Sequence, residues 1–343
     1  MKVLLTGPDF FDYTESVAWA IREHGHQVEC LPYLGYEQTC GYIAKKKLKW
    51  GFTAEKENHN AAWNERLRNL ICRGDIDRMV VMNGSWIEYR VIEDARKRGI
   101  HLTLWLIDSI RRMPENEEKL KLYHSVYSFE PADIPYLQEK CNVFAKYLSG
   151  GFDPRIYKEQ PTEKDIDICF IGASTNKRNT ILQKVAEYAK IERLKFLVYG
   201  CYWDERYFWK RKRFQRRYAP LGEFVQNHNI SAYEVAKIYR RSRICINIHI
   251  EEHNGPNSRI FEIIGTKSFQ LVDDKLTLEN VIRRGEEVET YQNAEELVEK
   301  IDYYLKHPEK IAANVEKGYA RVTKEHDIRK KAAVLLQEMG DEA

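Results

Sequence analysis

Two series of short apolar runs alternating with helical stretches, broken once by a glycine pair, limit what this 343-residue chain can become. In the first series, residues 2–7, 27–31, 78–82, 102–107, 125–129 and 142–147 read as buried strands. Between them lie helical stretches. Asp12-x-x-Glu15 has the spacing of a capping box for a helix to about residue 24, closed by Gly25. Trp63, Leu67, Leu70 and Ile71 recur at helical spacing, and helices are expected near 87–98 and 134–140. At Ser149-Gly150-Gly151-Phe152-Asp153-Pro154 the alternation stops, and with Pro161 this segment reads as a linker. The second series has strands at 167–171, 194–199, 243–250 and 269–272. Helices are expected at 177–190 and from the Ser231-Ala232-Tyr233-Glu234 capping box to about 241. Helices dominate from Ala294 onward. A βα series of this kind predicts an α/β fold, with a mostly parallel sheet covered by helices on both faces. Ligands then bind outside the C-terminal ends of the strands.

The division expected is a first domain over 1–150, a linker over 151–163, a second domain over 164–325 and a terminal segment over 326–343. Ile328, Ala332, Leu335 and Leu336 have helical spacing, so a helix over about 327–339 is expected to return to the first domain. Hydrophobic residues are 43% and charged residues 31%, a globular rather than disordered mixture. No apolar run approaches the ~20 residues that span a bilayer, and the opening strand is too short for a secretory segment. Seven cysteines without a Cys-x-x-Cys pair argue against a disulfide framework or a zinc site, and point to a reduced, cytoplasmic protein. A net charge of +3 does not by itself imply a nucleic-acid binder.

One segment carries chemistry. In Asn257-Ser258-Arg259-Ile260-Phe261-Glu262-Ile263-Ile264-Gly265, Arg259 and Glu262 are three apart and share one helix face. A helix N-terminus offers N–H groups to an anion, Arg259 adds a planar fork of donors for phosphate oxygens, and Glu262 can accept from sugar hydroxyls. An exposed ion pair on an ordinary helix has the same spacing.

The second half resembles the C-terminal domain of the spore-maturation CgeB-like glycosyltransferases, within the GT-B superfamily. The segments that carry the resemblance are Asp167-Ile168-Cys169-Phe170-Ile171-Gly172 with Arg178, and Leu197-Val198-Tyr199-Gly200 with Trp203. Ile244-Cys245-Ile246-Asn247-Ile248-His249, Asn257 to Glu262, and Asn293 to Leu297 leading into Tyr304 to Glu309 follow in order. Shorter segments of the first half match too: Trp105 to Asp108, Ser128 to Asp133, and Gly151 to Pro154 with Tyr157. The resemblance implies a GT-B fold of two Rossmann-like domains whose parallel sheets face an inter-domain cleft. It implies a nucleotide-sugar donor, first of all a UDP-sugar, no cofactor and no bound metal. Glu262 would bind the ribose hydroxyls; Arg259 and the amides near Asn257 and Ser258 would hold the diphosphate. Gly172, Ser174, Lys177 and Arg178 would face the phosphates, and Tyr199 and Gly200 would border the base or ribose. Many retaining members carry a second glutamate eight positions earlier, where this chain has Asn254.

Other residues have two readings each. Asp108, after the strand at 102–107, and Asp9, in Gly7-Pro8-Asp9, suit a general base for an acceptor hydroxyl; both also suit a turn. His249 and His253 flank Glu251 and Glu252 in a pattern that is not His-Glu-x-x-His, so hydrogen bonding near the donor fits His249 better than zinc. The basic, aromatic run from Arg206 to Tyr218 suits nucleic acid or an anionic acceptor polymer, or an amphipathic helix with solvated cations. The function classes left open are a metal-independent glycosyltransferase acting on a glycan, surface polymer or protein, a non-catalytic spore-coat or surface-polymer binding protein on the same scaffold, and a nucleic-acid glycosyltransferase.

Overall fold

The structure is a computed structural model that describes residues 1–8, 12–34, 52–113, 117–251 and 254–337, with only the backbone of 52–57 and 276. Asp9, Glu252 and His253 lie outside the described residues. The chain divides into two compact units, Met1–Ser149 with Ile328–Ala343, and Gly150–Asp327.

The first unit holds strands β1 (Lys2–Thr6), β2 (Gln27–Cys30), β3 (Arg78–Met82), β4 (His101–Leu106), β5 (Ser125–Ser128) and β6 (Ala145–Tyr147). They form one six-stranded sheet in the order β2-β1-β3-β4-β5-β6, and every pair is parallel. Its helices are α1 (Tyr13–Glu23), α2 (Phe52–Cys72), α3 (Tyr89–Lys97), α4 (Glu117–Leu120) and α5 (Asp133–Glu139). Successive strand residues face opposite sides of a sheet. Accordingly Leu4 joins Leu67, Ile71 and Ile92 in one apolar layer, while Val3 and Leu5 join Val17, Ile21 and Trp105 in the other. Such burial on both faces is why these strands read as continuous apolar runs. The helix expected to start with an Asp12 capping box starts differently. Asp12 sits at φ 55 in the left-handed region, where its side chain makes no cap hydrogen bond.

The second unit holds β7 (Ile166–Ile171), β8 (Phe196–Tyr199), β9 (Val225–Gln226), β10 (Ser242–Asn247), β11 (Gln270–Asp273) and β12 (Glu289–Tyr291). Its sheet is again fully parallel, in the order β12-β11-β10-β7-β8-β9. From β7 the chain winds outward to β8 and β9, then returns to the centre and winds the other way through β10, β11 and β12. This doubly wound order has its topological switch point between β7 and β10. The helices are α6 (Asn176–Ile191), α7 (Phe208–Arg217), α8 (Ala232–Arg241), α9 (Ser258–Gly265), α10 (Ala294–Lys306) and α11 (Ile311–Glu325). The capping box is present at α8, where Ser231 and Glu234 bond each other's backbone N–H. The segment expected as a linker is part of this unit, with Phe152, Ile156 and Tyr157 buried and the Arg240 guanidinium bonded to the Lys158 carbonyl.

The last helix, α12 (Ile328–Leu336), completes the first unit. Ile328, Ala332 and Leu335 enter the apolar layer that contains Val17, Ala18 and Ile21 of α1. The buried Arg78 of β3 donates to the carbonyls of Leu335 and Gln337, at 3.2 and 3.3 Å. A cation on the last carbonyls of a helix satisfies acceptors that have no partner within the helix. Lys331 reaches Ser149 Oγ at 2.9 Å, and His24 Nε2 bonds the Arg329 carbonyl at 2.7 Å.

Candidate functional site

The switch point of the second unit gathers most of the polar groups singled out in the sequence. After β7 the chain turns through Gly172, Ala173 and Ser174 into α6, where Thr175 caps the helix by accepting from the Arg178 amide. Gly172 donates its N–H to the Tyr199 carbonyl at 2.9 Å. Gly200 follows at φ +147, and a Cβ there would stand 2.2 Å from the Gly172 carbonyl oxygen, so only glycine lets these two strand ends approach this closely. Tyr199 is half-buried, edge-on to His228. Ser174 and Asn179 exchange hydrogen bonds, which fixes the tip of the loop.

Two cations on α6 span the switch point. Arg178 Nε and one terminal nitrogen donate to the Ile248 carbonyl beyond β10, at 3.0 and 2.8 Å, and the other donates to the Ala173 carbonyl. Burial pulls its pKa down, and the neighbouring Arg259 charge adds to the shift. Lys177 Nζ lies 2.6 Å from Asp273 and 3.2 Å from the His249 carbonyl. Asp273 also accepts from the His249 amide at 2.7 Å and from His249 Nδ1 at 2.6 Å. Burial raises the Asp273 pKa, but His249 and Lys177 outweigh it and hold the carboxyl below its ordinary value.

His249 is buried, and its Nε2 accepts from the Asn257 amide at 3.3 Å. Both ring nitrogens are therefore bonded to protein, and the ring joins the end of β11 to the start of α9. Asn257 and Asn247 pair side chain to side chain, amide to carbonyl in both directions. The Asn257 N–H, expected to face a diphosphate, is thus occupied by His249 in this structure.

On α9, Arg259 donates to the Tyr239 hydroxyl at 3.1 Å and lies 3.8 Å from the Glu262 carboxylate. Glu262 is 7% exposed. Burial raises its pKa, opposed by the Arg259 charge and by hydrogen bonds from the Ser258 and Tyr157 side chains. A carboxylate held this way keeps acceptor capacity, since two oxygens offer about four lone-pair positions. Asp273, Tyr157, Tyr239 and Asn247 were given no site role from the sequence, although Tyr157 and Asn247 fall in the segments that carry the resemblance. Asp273 carried one usable signal, a carboxylate at the end of an apolar run; Tyr239 carried none.

In the first unit Asp108 follows β4. Its Oδ1 accepts from the Ser109 amide at 2.9 Å and from Arg112 at 3.0 Å. Those are the bonds of a turn aspartate. Among the described residues, no group of three or more His, Cys, Asp or Glu side chains is placed to share a metal ion, and no helix is long and apolar enough to cross a membrane.

Residues 177–337 match the model of a family described as glycosyl transferase-like. Anabaena HepE in complex with UDP and glucose superposes with a TM-score of 0.66 at 11% identity, over 97% of this chain and 98% of that one. The fold is GT-B. Sucrose-phosphate synthase from Thermosynechococcus elongatus gives a TM-score of 0.69 at 12% identity, over 98% of both chains. A glycosyltransferase from Rickettsia africae gives 0.64 at 15%, over 99% of both. No curated protein matches the sequence. Within the GT-B frame the two six-stranded sheets are the two Rossmann-like halves, and the Arg259–Glu262 helix starts outside the C-terminal end of β10, beside the switch point of the second half.

Proposed function

We propose that this chain is a glycosyltransferase of the CgeB-like kind, which moves a sugar from a UDP-sugar to an acceptor hydroxyl. The observation that carries the reading is the pair of part-buried Arg259 and buried Glu262 at the start of α9, beside the switch point of a GT-B second half whose residues 177–337 match a glycosyl transferase-like family model. HepE, which shares the fold, was crystallised with UDP-glucose. In this reading Glu262 accepts from the ribose hydroxyls, while Arg259 and the first amides of α9 face the diphosphate. The loop from Gly172 to Arg178 adds the helix N-terminus of α6. These dipoles and cations stabilise the charge that develops as the bond from the anomeric carbon to the diphosphate breaks. The acceptor oxygen bonds to that carbon, its proton passes to a base, and UDP leaves.

Asp108 is proposed as that base. Asp108→Asn should then lower kcat by roughly a hundredfold or more, the usual worth of general base catalysis, with no change in melting temperature. A variant that melts lower and turns over normally assigns Asp108 to the turn alone.

A second reading is a binding protein on the same scaffold that holds the donor without transferring it, since a fold does not by itself fix a function. Melting-temperature screening against UDP-, GDP-, CMP- and TDP-sugars tests donor binding, because a ligand of the native state raises the midpoint. Release of UDP from the bound donor in the presence of glycan or polymer acceptors then separates the two. Binding without release supports the second reading, and no shift with any donor overturns both.

A further inference from the structure

Helix α7 carries the sequence FWKRKRFQRR, six cations and no acid in ten residues. One side of it is anchored. Phe214 is buried against Tyr202, Trp203 and Tyr218, and Gln215 packs on Gly222. At about 3.6 residues per turn, Phe208, Trp209, Lys212 and Arg216 fall on the side opposite Phe214, with Arg213 at its edge. The exposure agrees. Phe208 is 69% and Trp209 53% exposed, the one adjacent pair of large apolar side chains so exposed among the described residues, and all six cations are exposed. Among the described residues, the one acid beside the helix start that touches its cations, Asp204, is bonded to Arg206 and lies 3.6 Å from Lys210. The face opposite Phe214 therefore combines an apolar wedge with uncompensated positive charge.

We propose that this face docks the protein onto an anionic lipid surface, with Phe208 and Trp209 entering the interface and Lys212, Arg213 and Arg216 meeting the headgroups. Aromatic rings favour the membrane–water boundary, and neighbouring cations are drawn to anionic lipid. The ring geometry favours lipid over a nucleic acid. Base stacking needs open, flat ring faces. Here Lys210 lies over the Tyr207 ring at 4.7 Å and Lys212 over Phe208 at 5.6 Å, and Phe208 meets Trp209 nearly edge-on at 82°. Insertion into an interface needs only apolar bulk with cations beside it. The inference is independent of the donor reading, since it uses no residue of the switch point.

The test is flotation of the full chain with phosphatidylcholine vesicles, with and without phosphatidylglycerol, at low and high salt. The expected result is partition onto the anionic vesicles only, weakened by salt. The Phe208→Ala/Trp209→Ala double variant should lose roughly tenfold or more of that partition, with an unchanged melting temperature because both side chains are exposed. Vesicles should also shift the tryptophan emission to the blue in the wild type and not in Trp209→Phe. Equal partition of the double variant, equal binding to neutral vesicles, or binding to single-stranded nucleic acid with none to anionic vesicles overturns the proposal.

Discussion

Glu262 is a carboxylate in a place that opposes its charge, and that conflict makes it informative. Burial raises its pKa, and only the Arg259 charge and the Ser258 and Tyr157 hydrogen bonds work the other way. A carboxyl whose folded pKa is raised contributes stability that is fully present below its unfolded value and is lost as pH rises through the folded value. At neutral pH the charged form therefore works against folding. Glu262→Gln should melt at or above the wild type near neutrality. It should also bind UDP-sugar roughly ten- to a hundredfold more weakly, the worth of a hydrogen bond to a charged acceptor. Calorimetry with UDP checks the affinity, and unchanged binding removes Glu262 from the site. Asp273 has the opposite sign. His249 and Lys177 hold its pKa below 3.8, so its stabilisation is present above that value and disappears as pH falls through the lower folded one. Asp273→Asn should cost about 3 kcal/mol near neutrality, because it leaves the part-buried Lys177 ammonium without its counter-charge, and the deficit should shrink as pH falls below 3.8. Urea melts across that range decide it; a deficit that does not change with pH refutes the assignment.

At the scale of elements, the site depends on strand ends that must come close. Gly200 lets β8 end against the Gly172 carbonyl, and Arg178 ties the same loop to the end of β10. Gly200→Ala would place a methyl group at 2.2 Å from that oxygen in a backbone region that L-residues avoid. The expected cost is about 2–4 kcal/mol, read in a urea melt, with donor affinity falling as the loop shifts. A melt unchanged from the wild type shows that the turn relaxes without loss. Elements defined by local chemistry were legible in the sequence: α8 begins at its capping box, and the central strands fall within a residue or two of their apolar runs, except that β10 stops at Asn247, three residues short of the expected end. The edge strands β9 and β12 were not, since Val225–Gln226 and Glu289–Tyr291 are too short to show a period and exist because a neighbour offers a ladder. Asp12 failed as a cap for a related reason, because its backbone conformation is set by the turn it occupies.

At the scale of the molecule, the chain leaves the first unit at Ser149 and returns to it at Ile328. The second unit is therefore continuous in sequence and the first is not. A fragment of residues 150–327 should melt cooperatively alone. A fragment of 1–149 would lack Ile328, Ala332 and Leu335 from its apolar layer and leave Arg78 without the α12 carbonyls it caps. Losing three buried apolar side chains is worth several kcal/mol, on the order of half a typical domain's stability. The shorter fragment should bind a hydrophobic dye and unfold at much lower urea, and adding the α12 peptide should partly restore it. A 1–149 fragment as stable as the intact unit would show that α12 is dispensable.

The sequence by itself determined the class of fold. Apolar runs buried on both faces, alternating with helices, have few solutions other than parallel sheets wound with helices, and that information is local and repeated ten times along the chain. It also determined which residue types stand at strand ends and helix starts, such as Arg259 and Glu262. Only the tertiary structure decided their partners. Tyr157 reaches Glu262 from a segment that reads as a linker, Tyr239 meets Arg259 from another helix, and Asp273 joins His249 and Lys177 across the switch point. These contacts join residues from 20 to about a hundred positions apart. No local pattern encodes them, because their geometry is set by strand order, and strand order is fixed only when the whole sheet is packed.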